Sequence, residues 1–107
     1  MKNVLKSIKK FFKTRKYVIK FMKRERNIQV DRTRLGYRFN CISNEFVAKQ
    51  LEELKSVFNI EIIAIELNDD DENRITIKCD KDEASSIGSY FIKLMHDEIT
   101  SFNMTQL

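Results

Sequence analysis

The chain of 107 residues has no proline, two glycines, two cysteines and one histidine, and each scarcity removes a class of chemistry. With Gly36 and Gly88 as its only glycines, it has no glycine-rich loop of the kind that cradles a phosphate. Cys41 and Cys79 stand apart, without a CxxC pair, and His96 is the single imidazole, so neither a zinc set nor any other metal centre is expected. Neither cysteine lies in a nucleophile motif, both are expected on the core faces of strands, and His96 beside Asp97 has no serine or cysteine placed for it to activate. A non-enzymatic protein that needs no cofactor is the expectation. Two isolated thiols suit a reducing cytosol, hence a cytoplasmic location. No apolar run approaches the ~18 residues of a membrane-spanning helix. Lysines interrupt the first apolar positions too often to leave the h-region of a secretory signal.

What the chain does have is charge: 34% of its residues are Asp, Glu, Lys or Arg, against 42% hydrophobic, a balance that suits a soluble folded domain. One domain spanning 1–107 is expected, with a basic amphipathic helix over 1–26 and an α+β core over 27–107. The charge is unevenly spread. Residues 1–26 hold eleven Lys/Arg against the single acid Glu25, a net +10; since the whole chain is +4, the remainder carries −6.

At helical spacing, Val4, Leu5, Ile8, Phe11, Phe12, Val18, Ile19 and Met22 share an arc of roughly 140°. Lys2, Lys6, Lys9, Lys13, Lys16, Lys20 and Arg24 fall opposite. Tyr17 and Phe21 lie outside the apolar arc, amid Lys10, Lys13, Lys20 and Arg24, where they could stack on unpaired bases or pack on a neighbouring subunit. Arg15 lands inside the apolar arc, which calls for a kink or a buried partner, and Glu98 in the last helix is the candidate partner.

Beyond residue 27 the pattern changes to period two. Ile28 to Arg32 and Leu35 to Ile42 read as a hairpin, with Tyr37, Phe39 and Cys41 on one face of its second strand. Ser43 is a suitable N-cap for a helix from Asn44 to Phe58 that buries Phe46, Val47, Leu51, Leu54, Val57 and Phe58. Ile60 to Leu67 is apolar enough on both faces to be a central strand. The acidic stretch 68–73 is a turn: as a calcium loop it would put Arg74 where glycine is needed and Asp80 where a bidentate glutamate belongs. Arg74 to Cys79 returns as a strand with Ile75, Ile77 and Cys79 inward and Arg74, Thr76 and Lys78 outward. Asp80 and Glu83 match a capping box opening a last helix from Lys81 to Phe102, in which Gly88 on the apolar face signals a close backbone approach.

The expected fold is therefore α+β: the basic N-terminal helix, then about four antiparallel strands in the order β-β-α-β-β-α with helices on one face, an incomplete ferredoxin-like layout. The expected interface comprises Lys6, Lys9, Lys10, Lys13, Lys16, Tyr17, Lys20, Phe21, Lys23 and Arg24 on the helix, extended over the sheet by Arg38, Arg74 and Lys78. Its lysines and arginines would neutralise successive phosphates of RNA or DNA. Two other readings use the apolar arc instead: peripheral attachment to a membrane through Phe11, Phe12, Ile19 and Met22, or packing within the protein or a homodimer. The −6 remainder disfavours the membrane, since anionic lipid would repel it.

In its small size, Lys/Ile/Asn-rich composition and pairing of a basic helix with an acidic remainder, the chain resembles compact proteins of phages and mobile elements of AT-rich Gram-positive bacteria, among them anti-CRISPR inhibitors of Cas9. That resemblance implies a bacterial host cell and stoichiometric interference with a nucleic-acid-handling protein such as Cas9, by occupying its channel or competing for its guide RNA.

Overall fold

The computed structural model describes residues 13–29, 37–69 and 71–107, with the side-chain surroundings of 13–25, 41–69 and 71–107. The elements, in chain order, are β1 (Thr14–Lys23), β2 (Arg26–Gln29), β3 (Tyr37–Asn40), α1 (Asn44–Val57), β4 (Glu61–Glu66), β5 (Asn73–Asp80), α2 (Ala84–Met95), a single 3-10 turn (His96–Glu98) and β6 (Ile99–Gln106). Strands β4, β5, β1 and β6 form one antiparallel sheet in that spatial order, and β2 and β3 pair separately as a hairpin.

The first correction concerns the basic helix. Residues 14–23 form the longest strand of the sheet, while residues 1–12 lie outside the described residues. Tyr17, Val18, Ile19 and Phe21 are β-branched or aromatic, types that lose rotamer freedom in a helix and pack well on a pleated surface. Their spacing also satisfies period two: Tyr17, Ile19 and Phe21 are buried on one face, and Lys16 and Lys20 alternate with them on the other. Flanking β5 and β6 pair with β1 along most of its length, contacts that no isolated amphipathic helix would supply.

The second correction concerns the last helix, which ends at Met95 rather than Phe102. His96 has a left-handed φ of 49°, and after the short 3-10 turn the chain runs on as β6. Ile99 and Phe102 are four and seven residues past Met95, so they extend a helical stripe and a strand equally well on paper. With β1 and β6 in place, the order β1-α1-β4-β5-α2-β6 is that of a split β-α-β arrangement, to which the incomplete expected layout lacked both central β1 and outer β6. Of the hairpin expected over 28–42, residues 30–36 lie outside the described residues; its described parts pair antiparallel as β2 and β3, between β1 and α1 in the chain and apart from the main sheet.

Helix α1 starts as expected: the Ser43 hydroxyl accepts from Phe46 N at 3.1 Å, and Val47, Leu51 and Leu54 are buried. Val57, expected inside, is half exposed at the helix end. Strand β4 is at the sheet's edge rather than its centre, which leaves Ile63 and Ile65 44% and 46% exposed. Asp80 accepts from the Asp82 backbone N–H at 2.8 Å in a tight turn, and Glu83 provides no side-chain cap, so the capping box is not formed.

Both helices pack on the same face of the sheet. Phe21 and Phe91 meet with ring centroids 5.4 Å apart, Phe91 and Phe102 at 5.8 Å, and Ile19, Ile75, Ile77, Ile87 and Met95 join Val47, Leu51 and Leu54 of α1 in the fully buried centre. Gly88 is approached by side chains of β6 rather than by the backbone expected: a Cβ there would lie 3.3 Å from Met104 Sδ and 3.5 Å from Phe102 Cζ. Arg15 and Glu98 are not partners. The Glu98 carbonyl accepts from Arg24 N at the far end of β1, nine residues or roughly 30 Å of strand from Arg15.

Candidate functional site on the open sheet face

The face of the sheet turned away from the helices is built by period-two alternation along each strand. On β5, Ile75, Ile77 and Cys79 turn inward and Arg74, Thr76 and Lys78 outward, as the sequence indicates. On β1 the outward residues include Lys16, Val18 and Lys20; on β6 they are Ser101, Asn103 and Thr105. On β4 they are Glu61, Ala64 and Glu66, after a bulge between Ile62 and Ala64 resets the alternation.

Register then decides which of these groups meet. Lys16 stands directly opposite Lys78, and Lys20 directly opposite Arg74, with Val18 opposite Thr76 between them. Neighbouring strands are about 4.8 Å apart and four residues of strand cover roughly 13 Å, so two like-charged pairs bracket a small-residue floor. At the Lys20–Arg74 pair lies a depression of about 280 Å³ lined by Val18, Lys20, Ala64, Glu66, Arg74, Thr76 and Leu107. Glu61 and Glu66 on β4 stand opposite Lys78 and Arg74, so acids border the cations on one side. The neighbouring strand on the other side, β6, carries no charge.

Among the described residues Lys16, Lys20 and Lys78 make no ion pair; Arg74 reaches Glu72 at 3.1 Å, at an exposed site where such a pair is worth little. Like charges placed directly opposite on a sheet destabilise it by a few tenths of a kcal/mol or more. An anion bound over the two pairs would relieve that repulsion.

Of the interface residues expected from sequence, Lys16, Lys20, Arg74 and Lys78 come together here. The other described ones are placed elsewhere. Lys13 is bonded to Asp82 at 3.0 Å, which raises its amine pKa above the usual lysine value. Tyr17 and Phe21 are core side chains, 8% and 1% exposed, and burial pushes the Tyr17 phenol up; neither has a ring face free for a base. Lys23 is buried, its Nζ donating to Asn44 Oδ1 at 2.7 Å and Asp69 Oδ1 at 2.8 Å. Arg24 Nε donates to the Asp97 carbonyl at 2.6 Å and so fastens the 3-10 turn to the end of β1. Arg38 lies on β3 opposite Ile28, and Lys6, Lys9 and Lys10 lie outside the described residues. Ile19, expected on a membrane-facing arc, is fully buried in the core.

Ser101, Asn103 and Thr105 were missed, although their alternation with Phe102 and Met104 is itself a period-two signal. The side chains of the acidic turn bond both within the turn and to β1. Asn73, fully buried, accepts from Asn68 N at 2.6 Å and donates to the Phe21 carbonyl at 3.2 Å, while Asp69 is drawn to Lys23.

Elsewhere, the Cys79 thiol is pushed up to about 11, first by burial and then by Glu83 and Asp80, which leaves it protonated at neutral pH. His96 is exposed, its Nδ1 3.3 Å from Asp97. No group of three potential metal ligands occurs among the described residues, and none of their helices is long and apolar enough to cross a membrane. Compared with known proteins, the chain matches no family model, no curated protein and no solved structure.

Proposed function

We propose that the protein is a non-enzymatic binding protein whose open sheet face engages the phosphate backbone of a nucleic acid. The observation that carries this reading is the register that sets Lys16 against Lys78 and Lys20 against Arg74. Folding alone gains nothing from two cation pairs facing each other on the central strands, whereas a polyanion gains from both at once. Hydroxyl and amide groups of Thr76, Ser101, Asn103 and Thr105 border the cations and supply neutral hydrogen bonds to phosphate or sugar oxygens. No aromatic ring stands beside the cations on β1, β5 or β6 to stack on a base, so recognition is of the backbone and largely indifferent to sequence. The lysine-rich residues 2–13, which precede β1 directly, add positive charge by sequence.

Interference with a nucleic-acid-handling protein, the role implied by the resemblance to phage and mobile-element inhibitors, then proceeds by capture of an RNA such as the guide. A channel built for nucleic acid is itself cationic and repels a cationic face.

The test is a salt series of binding to single-stranded and duplex RNA and DNA. Wild-type affinity is expected to fall linearly in log–log form with salt. Replacing Lys16, Lys20, Arg74 and Lys78 together by glutamine reduces that slope by about 3, the loss of four phosphate contacts. An unchanged slope in a folded variant, or no binding to any of the four nucleic acids, refutes the reading.

A further inference from the structure

The two edges of the sheet are protected very differently. At one edge, β4 has Glu61 and Glu66 near its ends and a bulge in its middle, devices that discourage pairing with another strand. At the other, β6 runs for eight residues without a charged side chain, and no strand pairs with its outer side among the described residues. In a chain that is 34% charged, an uncharged strand of this length at an edge is a template for strand addition.

The pattern of β6 says what it pairs with. From Ser101 to Thr105 the order is polar, apolar, polar, apolar, polar, which reads the same in both directions about Asn103. Antiparallel pairing of two copies about Asn103 therefore keeps every side chain on its own face. Phe102 of one copy meets Met104 of the other on the helix side, Ser101 meets Thr105 on the open side, and Asn103 meets Asn103. No like charges are brought together. The helix side of this edge carries a groove of about 500 Å³ over Gly88, Ile92, Phe102 and Met104, with Ile92 44% exposed, which the second copy's Phe102 and Met104 would help to close.

We infer that β6 is a homodimer interface, joining two four-stranded sheets into one of eight strands through antiparallel β6–β6 pairing centred on Asn103. The two-fold axis of such a pair is perpendicular to the sheet, so both open faces look the same way. Since Lys20 is opposite Asn103 and Arg74 opposite Lys20, one row then reads Arg74, Lys20, Asn103, Asn103, Lys20, Arg74 over roughly 24 Å, five strand spacings. The dimer rests on the edge alone and stands whether or not the face binds nucleic acid.

The experiment is the solution mass of the full chain by light scattering over a range of concentrations, for wild type, Asn103→Glu and Asn103→Cys. Wild type is expected at twice the chain mass. Asn103→Glu sets a carboxylate beside Lys20 within one copy but carboxylate against carboxylate across the interface, so it gives a monomer with an unchanged circular dichroism spectrum. Asn103→Cys under mild oxidation gives a covalent dimer on a non-reducing gel, and Lys49→Cys on the exposed side of α1 does not. A wild type that stays monomeric at every concentration, a dimer that survives Asn103→Glu, or a dimer in which Asn103→Cys does not cross-link overturns the proposal.

Discussion

Lys20 and Arg74 face each other across the two central strands of the sheet, flanked by Glu66 on one side and Asn103 on the other. A cation pair in this position is a cost to folding, and removing half of it should be visible as a gain. Lys20→Thr, which also suits a strand better, is expected to raise unfolding stability by roughly 0.5 kcal/mol while weakening binding to RNA or DNA. Urea denaturation and a binding titration on the same preparation check the opposite signs; a fall in stability would show that Lys20 supports the fold.

The Lys23–Asp69 pair sets an acid limit. Hydrogen bonding and charge attraction from Lys23, with a further hydrogen bond from Cys41, hold the Asp69 carboxyl below its ordinary value of 3.8. A carboxylate with a depressed native pKa contributes stability above its unfolded value, and the contribution is lost as pH falls through the native one. Thermal midpoints of wild type should therefore drop below about pH 4, and part of that drop should be absent in Asp69→Asn, whose midpoint is already lower at neutral pH. Lys23→Met, which removes the buried charge with its partner's demand, should cost less than Asp69→Asn at pH 7.

Cys79 reports global unfolding. Its thiol is 2% exposed and held protonated, so a maleimide or aromatic disulfide reagent at neutral pH should label it no faster than the protein unfolds. Labelling rates in increasing urea that follow the unfolding equilibrium confirm this, and rapid labelling of Cys79 in native conditions contradicts it. Cys41, half-buried and also raised by burial and by Asp69, is the internal comparison.

Phe91 joins the two halves of the core, touching Phe21 of β1 on one side and Phe102 of β6 on the other. Phe91→Ala should cost about 3–5 kcal/mol, a large share of the stability of a domain this size, measured as the shift in urea midpoint at constant m-value.

The segments read correctly from sequence were those with two agreeing signals. Ser43 before a three-four apolar spacing marked α1, and strict alternation marked β5 down to the inward Cys79. The errors lie where one pattern serves two periods. Residues 14–23 satisfy a helical arc and a pleat at once, and only pairing with β5 and β6, whose partners are more than fifty residues away, selects the pleat. Arg15 within the supposed apolar arc was the local sign of conflict. The same ambiguity carried α2 through Ile99 and Phe102, and with β6 misread, its open-face row of Ser101, Asn103 and Thr105 could not be placed. Four of the expected interface cations share the open sheet face because outward residues on a strand and on a helix can be the same residues. Tyr17 and Phe21 do not share it, since a period of two turns them inward.

The hydrogen bond from Lys23 Nζ to Asn44 Oδ1 ties the last residue of β1 to the first of α1 and so closes the neck of the excursion that contains β2 and β3. A loop whose two ends are fastened by the body it leaves can change in length and sequence at small cost, because closure entropy grows only slowly with length. The hairpin is thus a replaceable module: grafts or deletions between residues 26 and 40 should leave the register of the four main strands intact, and diversification of this protein's contacts can be concentrated there.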